Sequence, residues 1–260
     1  MNTTDEISTN SSPDEYGVVY SSDGLTLITA PHDLVGSYTV RENTKHIADG
    51  AFSGCQCIQH IGLPEGLQTI GECAFFNCQN LNSIDLTNTL EYVGNYAFAL
   101  CKRISNIKFP DSITDLGMNL FLGCVALQDI TLPSTLNYID AHFFEGCSAL
   151  RAINASNAFC TQNGMLFSAD KRTLIYCPPQ IAQGVVEIPE GVVDIADNAF
   201  AHCKEITQIC LPASLENIGR NVWHHCDKMA SFRVADGGNF TCMSNGILCT
   251  TSGTLLRCPP

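Results

Sequence analysis

The chain of 260 residues is poor in basic residues, aromatic residues and long apolar runs, and each shortage excludes a class of function. It has 13 Lys and Arg against 26 Asp and Glu, which gives a net charge of −13. This charge repels the phosphates of nucleic acids and of anionic lipids. No apolar run approaches the ~20 residues that a transmembrane helix needs. We therefore expect neither a nucleic-acid partner nor membrane insertion.

The N-terminal segment MNTTDEISTNSSPDE lacks the basic and apolar regions of a signal peptide. Its polar composition predicts a solvated, disordered tail over residues 1–15. Because this segment has no export signal, the cytoplasm is an alternative location to the cell surface and to secretion.

Cysteine, by contrast, is abundant, and seven of the 15 cysteines follow a fixed spacing of 23 residues. We call these the ladder cysteines: Cys55, Cys78, Cys101, Cys124, Cys147, Cys203 and Cys226. A constant period of this size is the signature of a repeat architecture, because a unit so short buries its apolar side only by stacking on its neighbours.

Aromatic and aliphatic residues share this period. A Phe or Trp stands three positions before each ladder cysteine, as at Phe52, Phe75 and Phe98. The segment LNSIDL (81–86) alternates apolar with polar residues, as expected for a short strand with one buried face. We predict a mostly β solenoid of 23-residue coils with short parallel strands, in which ECAFFNC (72–78) forms a tight helical or 3₁₀ turn.

The combination of LP (63–64), IG (70–71) and AFFNC (74–78) closely resembles the BspA-like leucine-rich repeat family, known from surface proteins of oral and gut bacteria and of trichomonads. The resemblance implies a curved leucine-rich-repeat solenoid with inserted β-hairpins. Three segments resemble that hairpin: YGVVYSSDGLTLITAP (16–31), NGMLFSADKRTLIYCPP (163–179) and NGILCTTSGTLLRCPP (245–260).

The resemblance also assigns the ladder cysteines a structural role. In leucine-rich repeats the position of Cys78 holds an Asn or Cys that turns inward and packs under the backbone. Free cysteine is among the most buried residue types. We therefore predict seven buried thiols and no catalytic residue.

Repeats and hairpins together give a predicted domain organisation. It comprises a tail (1–15), an N-terminal capping hairpin (16–39), five repeats (40–154), an inserted hairpin (155–185), two repeats (186–233) and a C-terminal hairpin (234–260), after which we expect the array to continue.

Candidate binding residues follow from the strand face. If Ile84 and Leu86 point into the core, Ser83 and Asp85 point outward. The same reasoning in the other coils gives the full candidate set: Ser83, Asp85, Asn106, Lys108, Asp129, Thr131, Gln208 and Arg233. It also places Cys210 on the outer face. Solenoid proteins use such extended faces to bind partners.

These residues predict a non-enzymatic adhesion or protein-binding module without a cofactor, and the resemblance implies a cell-surface location with host matrix or cell-surface proteins as partners. A carbohydrate-binding module is the first alternative, although few aromatic platforms are available for it. A hydrolase at the inserted hairpin is the second, and it would need Asp170, Glu187 or a neighbouring histidine to meet a convergent partner.

The sequences HisHisCys (224–226) and His202-Cys203 raise the question of a metal. His202 and His225 lie one period apart, so their imidazoles should stack on adjacent coils and could share an ion. The neighbouring cysteines belong to the inward ladder, and a structural zinc site needs four convergent ligands. From sequence alone we therefore predict exposed turn residues and no metal site.

Overall fold

The computed structural model describes residues 13–243 and 247–257. The chain divides into two compact units, Met1–Leu127 and Gln128–Pro260. Each unit is a β-solenoid of short strands, which confirms the predicted leucine-rich-repeat fold. Of the predicted disordered tail, residues 1–12 lie outside the described residues. Asp14, at its end, accepts hydrogen bonds from Tyr38 Oη (2.7 Å) and from the backbone N of Tyr16 and Val18 (both 2.9 Å).

The described part of the first unit, from residue 13 to residue 127, contains ten short strands. They are β1 (Val19–Tyr20), β2 (Thr26–Thr29), β3 (Gly36–Thr39), β4 (His46–Ile47), β5 (Ile58–Gly62), β6 (Thr69–Ile70), β7 (Ser83–Ile84), β8 (Tyr92–Val93), β9 (Asn106–Lys108) and β10 (Asp115–Leu116).

Two sheets build the walls of this unit. One has the strand order β3-β5-β7, and the other has the order β1-β2-β4-β6-β8-β10. The coils pair in parallel with an offset of one period, so His60 lies opposite Ser83 and Thr69 opposite Tyr92. The 23-residue period of the sequence is thus the step between hydrogen-bonded coils.

A column of phenylalanines fills the core of the first unit. The rings of Phe52, Phe75, Phe98 and Phe121 are all fully buried. Successive ring centroids are 5.2, 5.4 and 5.8 Å apart, with interplanar angles of 14°, 1° and 7°. Identical residues therefore stack directly above one another, which requires coils of equal length.

The predicted tight turn at ECAFFNC consists of successive turns closed by hydrogen bonds between residues three apart. Phe76 N donates to Cys73 O (3.0 Å), and Cys78 N donates to Phe75 O (3.2 Å). Cys73 and Asn77 have positive φ angles of 53° and 59°. Because these left-handed residues interrupt the right-handed path, the turn does not continue into an α-helix.

Glycine follows the second strand of a coil where two coils touch. A Cβ added to Gly94 would lie 2.5 Å from the backbone N of Glu72 in the preceding coil. No side chain fits at that distance, which explains the Gly of the IG motif.

The second unit contains the remaining strands described. They are β11 (Asp129–Thr131), β12 (Ala152–Asn154), β13 (Phe159–Gln162), β14 (Met165–Ser168), β15 (Thr173–Tyr176), β16 (Gly184–Glu187), β17 (Asp194–Ile195), β18 (Ile206–Leu211), β19 (Asn217–Ile218), β20 (Ser231–Val234), β21 (Phe240–Cys242), β22 (Leu248–Thr250) and β23 (Leu255–Arg257).

The inserted hairpin of this unit is part of a sheet. Strands β13, β14 and β15 pair antiparallel, and β15 then pairs in parallel with β17, which continues to β19. The hairpin of the first unit repeats the design, because β2 pairs antiparallel with β1 and in parallel with β4. In both cases the last hairpin strand occupies the place of a repeat strand.

Strands β16, β18 and β20 form the other parallel sheet of the second unit. Its register places Val185, Gln208 and Ser231 in one row across the sheet. Glu187, Cys210 and Arg233 form the next row on the same face. Rows of equivalent residues therefore cross this sheet at right angles to the strands, as the outward-facing candidates require.

Candidate functional site

The ladder cysteines bind the backbone of the preceding coil. In the first unit the Sγ atoms of Cys78, Cys101 and Cys124 donate to the carbonyl oxygens of Phe52, Phe75 and Phe98, at 3.0, 3.1 and 3.1 Å. In the second unit Cys203 donates to Cys177 O (3.4 Å) and Cys226 to Phe200 O (3.1 Å). A small side chain with a weak donor thus satisfies a backbone carbonyl in each of these five coils.

Burial makes these thiols poor nucleophiles. It raises the pKa of Cys55 to about 11 and the pKa values of Cys78 and Cys124 to about 12, and it also raises the pKa of Cys101. Thiolates are the reactive form of cysteine, and they are scarce at such pKa values. The 14 cysteines among the described residues are thiols outside any disulfide. The geometry therefore fits the structural role expected from sequence.

The candidate residues of the first unit lie on the surface. Ser83, Asp85, Asn106 and Lys108 are all exposed. Ser83 Oγ and His60 Nδ1 form a hydrogen bond of 2.8 Å between adjacent coils. These side chains are available to a partner, and adjacent coils fix their spacing along the stack.

The candidates of the second unit are held by neighbours one coil away. Asp129 Oδ2 accepts from Arg151 Nη2 (3.1 Å), Thr131 Oγ1 accepts from Asn154 Nδ2 (3.4 Å), and Gln208 Nε2 donates to Ser231 Oγ (2.8 Å). Arg233 is exposed, whereas Asp129, Thr131 and Gln208 are half-buried. The face is therefore partly ordered by ties between coils.

An open groove of about 520 Å³ runs along the ends of strands β16, β18 and β20. Arg233 Nη2 donates to Glu187 Oε1 at 2.8 Å, so two residues that are two periods apart in the sequence form an ion pair in the lining of the groove. Glu190 and Asp236 also line the groove, which therefore carries three carboxylates and one guanidinium. This excess of negative charge favours a basic ligand.

Sequence reasoning placed Arg233 on the outer strand face and named Glu187 only for the hydrolase alternative, and it missed Glu190 and Asp236. The spacing of Glu187, Cys210 and Arg233 by one period each was the available signal for the pair, since it places all three in one row. Cys210 lies in this row and lines the groove, which agrees with its outward placement, but it is only 8% exposed. The Glu187–Arg233 pair spans it from the two neighbouring strands and covers it.

The residues of the hydrolase alternative have other partners. Asp170 lies in the turn between β14 and β15, where Oδ1 accepts from Ser168 Oγ (2.6 Å) and Arg172 N (3.0 Å). The hydrogen bond from Ser168 is the main reason why the pKa of Asp170 lies below its usual value. Glu187 is paired with Arg233. Asp170 thus stabilises a turn, and Glu187 belongs to the groove.

Three histidines converge on one turn surface of the second unit. The rings of His202 and His225 stack as their spacing predicts, with centroids 4.8 Å apart and an interplanar angle of 28°. His224, which the pairing argument left out, joins them with its centroid 4.0 Å from that of His225. One ring nitrogen from each of the three lies within 4.8 Å of the others. Burial, then the nearby His225, lowers the pKa of His202.

Comparison with protein families assigns the chain by its repeats. The model described as BspA type leucine rich repeat region matches residues 36–173 and 181–252, in six copies. No curated protein matches the chain significantly. Among residues 13–243 and 247–257, no helix is long and apolar enough to cross a membrane.

Solved structures share the fold at low sequence identity. The pneumococcal vaccine antigen PcpA is 24% identical over 88% of this chain, with a TM-score of 0.68, and the chain spans 55% of that protein's length. A leucine-rich repeat protein from Eubacterium ventriosum is 17% identical, with coverages of 85% and 70% and a TM-score of 0.67. A leucine rich cell surface protein from Faecalibacterium prausnitzii is 18% identical, with coverages of 88% and 77% and a TM-score of 0.54.

Proposed function

We propose that this chain, which belongs to the BspA-type leucine-rich repeat family, is a non-enzymatic protein-binding module that acts at the cell surface. The observation that carries the proposal is the groove along β16, β18 and β20, where Glu187 and Arg233 lie on a rigid parallel sheet. Rigid placement of charged groups favours recognition, because little side-chain entropy is lost when a partner binds.

The charge of the groove specifies the kind of partner. Glu187, Glu190 and Asp236 outnumber Arg233, and the whole chain carries a net charge of −13. A basic segment of an extracellular protein fits this surface, and complementary charge would speed its association. The neighbouring polar row with Gln208 and Ser231 extends the contact surface beyond the groove. The buried area thereby approaches the ~800 Å² per partner of a standard protein–protein interface.

The surface location draws on relatives of the same fold. The pneumococcal relative is a vaccine antigen, and the Faecalibacterium relative is a cell surface protein. Adhesion to host matrix proteins or to other cells follows as the specific form of binding that we propose.

Carbohydrate binding is the second candidate, and one observation favours it. Tyr138 is 70% exposed and lines a cavity of about 240 Å³ in the second unit, together with Tyr176 and Asp197. Tyr138 thus offers an exposed apolar ring with a polar hydroxyl, which suits contact with the apolar face and the hydroxyl groups of a sugar.

A binding screen with matched variants separates these alternatives. The purified protein is tested against extracellular matrix proteins and a glycan array, together with Glu187→Lys and with Glu205→Lys as control. Glu205 also forms a surface ion pair, with Lys228 at 2.6 Å, but it does not line the groove. We expect at least a tenfold loss of protein binding in Glu187→Lys, because this change removes the excess negative charge of the groove, and no change in Glu205→Lys.

Other outcomes would contradict the proposal. Binding to a matrix protein with equal affinity in both variants would place the interface elsewhere. Binding to glycans alone, abolished by Tyr138→Ala, would favour the carbohydrate-binding function instead.

A further inference from the structure

We propose that His202, His224 and His225 form a binding site for a divalent transition-metal ion, with zinc as the physiological candidate. The site lies within the second unit, on turns that precede Cys203 and Cys226 in two successive coils. Three imidazoles suit zinc, copper and nickel better than magnesium or calcium, which prefer oxygen ligands. Water or a donor from a partner would complete the coordination.

The distances between the three donors fit one ion after small side-chain movements. Their ligating nitrogens lie within 4.8 Å of one another. Zn–N bonds of ~2.0–2.1 Å in tetrahedral geometry place two nitrogens about 3.3 Å apart. His224 and His225 are exposed, so rotation about their side-chain bonds closes the difference without moving the core.

The ring nitrogens of these histidines are available, unlike those of most other histidines in the chain. Nδ1 of His46, His60 and His142 is hydrogen bonded to Thr69 (2.9 Å), Ser83 (2.8 Å) and Glu145 (2.6 Å) respectively. Among the described residues, no hydrogen bond engages the ring nitrogens of His202, His224 or His225. The three imidazoles that converge here therefore have ring nitrogens available for a metal ion, whereas most other histidines of the chain use Nδ1 in a hydrogen bond.

The backbone holds two of these histidines in an unusual conformation. His202 and His225 have φ angles of 66° and 58° at the position before the ladder cysteine. Glycine occupies this position in three other coils, at Gly54, Gly123 and Gly146, each with positive φ. Glycine tolerates this conformation more easily than residues with a Cβ. Two successive coils therefore carry an imidazole where the backbone would favour glycine.

The coil stacking then brings the two imidazoles together. His202 N donates to His224 O at 2.7 Å, which fixes the two turns relative to each other. The same bond sets the distance between the His202 ring and the His224–His225 pair. A metal ion bound here would link two adjacent coils.

Zinc titration of protein without a histidine tag tests the proposal. Because the 15 cysteines of the chain are also zinc ligands when accessible, exposed thiols are first alkylated with iodoacetamide. Isothermal titration calorimetry then measures stoichiometry and affinity for Zn²⁺. The variants are His202→Asn, His225→Asn and His224→Gln, with His60→Gln as the control. Asn is chosen because Asn77 adopts the same backbone conformation in another coil, with φ of 59°.

We expect about one Zn²⁺ per chain in the wild type and in His60→Gln, and at least a tenfold weaker affinity in each of the other three variants. Co²⁺ should give visible d–d bands without the near-ultraviolet charge-transfer band of a thiolate ligand. The proposal would be overturned if the wild type did not bind Zn²⁺, or if His202→Asn and His225→Asn bound it with the affinity of the wild type. A thiolate charge-transfer band in the alkylated protein would likewise assign the ion to cysteine.

Discussion

Iodoacetamide should alkylate Cys57 long before it reaches Cys78 or Cys124. Cys57 is exposed, whereas Cys78 and Cys124 are fully buried, donate to backbone carbonyls and have pKa values of about 12. The reagent attacks the thiolate, so the ionised fraction sets the upper limit of the rate.

The magnitude follows from these pKa values. At pH 8 a thiol with a pKa of about 12 is ionised in about one molecule in 10,000, whereas a cysteine of the unfolded chain, with a pKa of ~8.5, is ionised in roughly one in four. Unfolding should therefore raise the reactivity of Cys78 and Cys124 by at least about 1,000-fold. Exclusion of the reagent from the core adds to this protection.

Peptide mass spectrometry gives the rate for each cysteine separately. The protein is alkylated at pH 8 with and without guanidinium chloride, quenched at intervals and digested, and Cys57 serves as the internal standard. Alkylation of native Cys78 or Cys124 within tenfold of the rate of Cys57 would refute buried, neutral ladder thiols. A disulfide between two ladder cysteines in the native protein would do the same.

Three further predictions concern stability. Thr44 is fully buried and, within the described part of the chain, its Oγ1 has no hydrogen-bond partner; Thr44→Val should raise the free energy of unfolding in urea by about 1 kcal/mol, whereas Thr44→Ser should lower it. Phe98 lies between two stacked rings, so Phe98→Ala should cost about 3–5 kcal/mol, against less than ~0.5 kcal/mol for Val35→Ala at a position 70% exposed; similar losses would contradict the stacked core. Because the folded-state pKa of Cys124 is raised, the contribution of this thiol to the free energy of unfolding is complete below pH ~8.5 and is lost as the pH rises towards 12, by ~1.4 kcal/mol per pH unit. Cys124→Ala should therefore flatten the fall of stability at alkaline pH. An unchanged fall would count against a raised pKa of Cys124.

The sequence was sufficient to predict neighbours along the stack. A residue and its equivalent 23 positions later must lie in adjacent coils if the coils have equal length, and the stacked rings of Phe75 and Phe98 confirm this. The same reasoning applied to His202 and His225, whose rings stack. Repeat spacing thus predicted contacts between residues that are distant in the chain.

Contacts across a coil were harder to predict. They depend on the path of the turns, and positive φ angles at Cys73 and Asn77 leave little trace in the sequence. The approach of His224 to His202 was not predicted for this reason, because pairing by the repeat period joins only His202 and His225. The burial of Cys210 on the outer face was not predicted, because simple alternation ignores long side chains that meet above a small one.

The domain boundaries predicted from sequence stay predictions, but the hairpins show where such reasoning is weakest. Periodicity marked residues 155–185 as an interruption of the array. In the structure Leu174 pairs with Ile195 as one repeat strand pairs with the next. An antiparallel hairpin can supply a parallel strand when its last strand has the right direction, and residue spacing carries no information on strand direction.

Surface side chains along the stack serve stability and binding together. Asp197 binds Arg220 at 3.0 Å, and Glu205 binds Lys228 at 2.6 Å, each across one period. In a repeat protein the interface between neighbouring coils is the unit of cooperativity, so such ties act where stability is decided. A ligand that bridges two coils stabilises that same interface by its binding free energy. A metal ion linking His202 to His225 would therefore strengthen one interface of the second unit, and the effect on unfolding should be confined to the wild type and absent in His202→Asn.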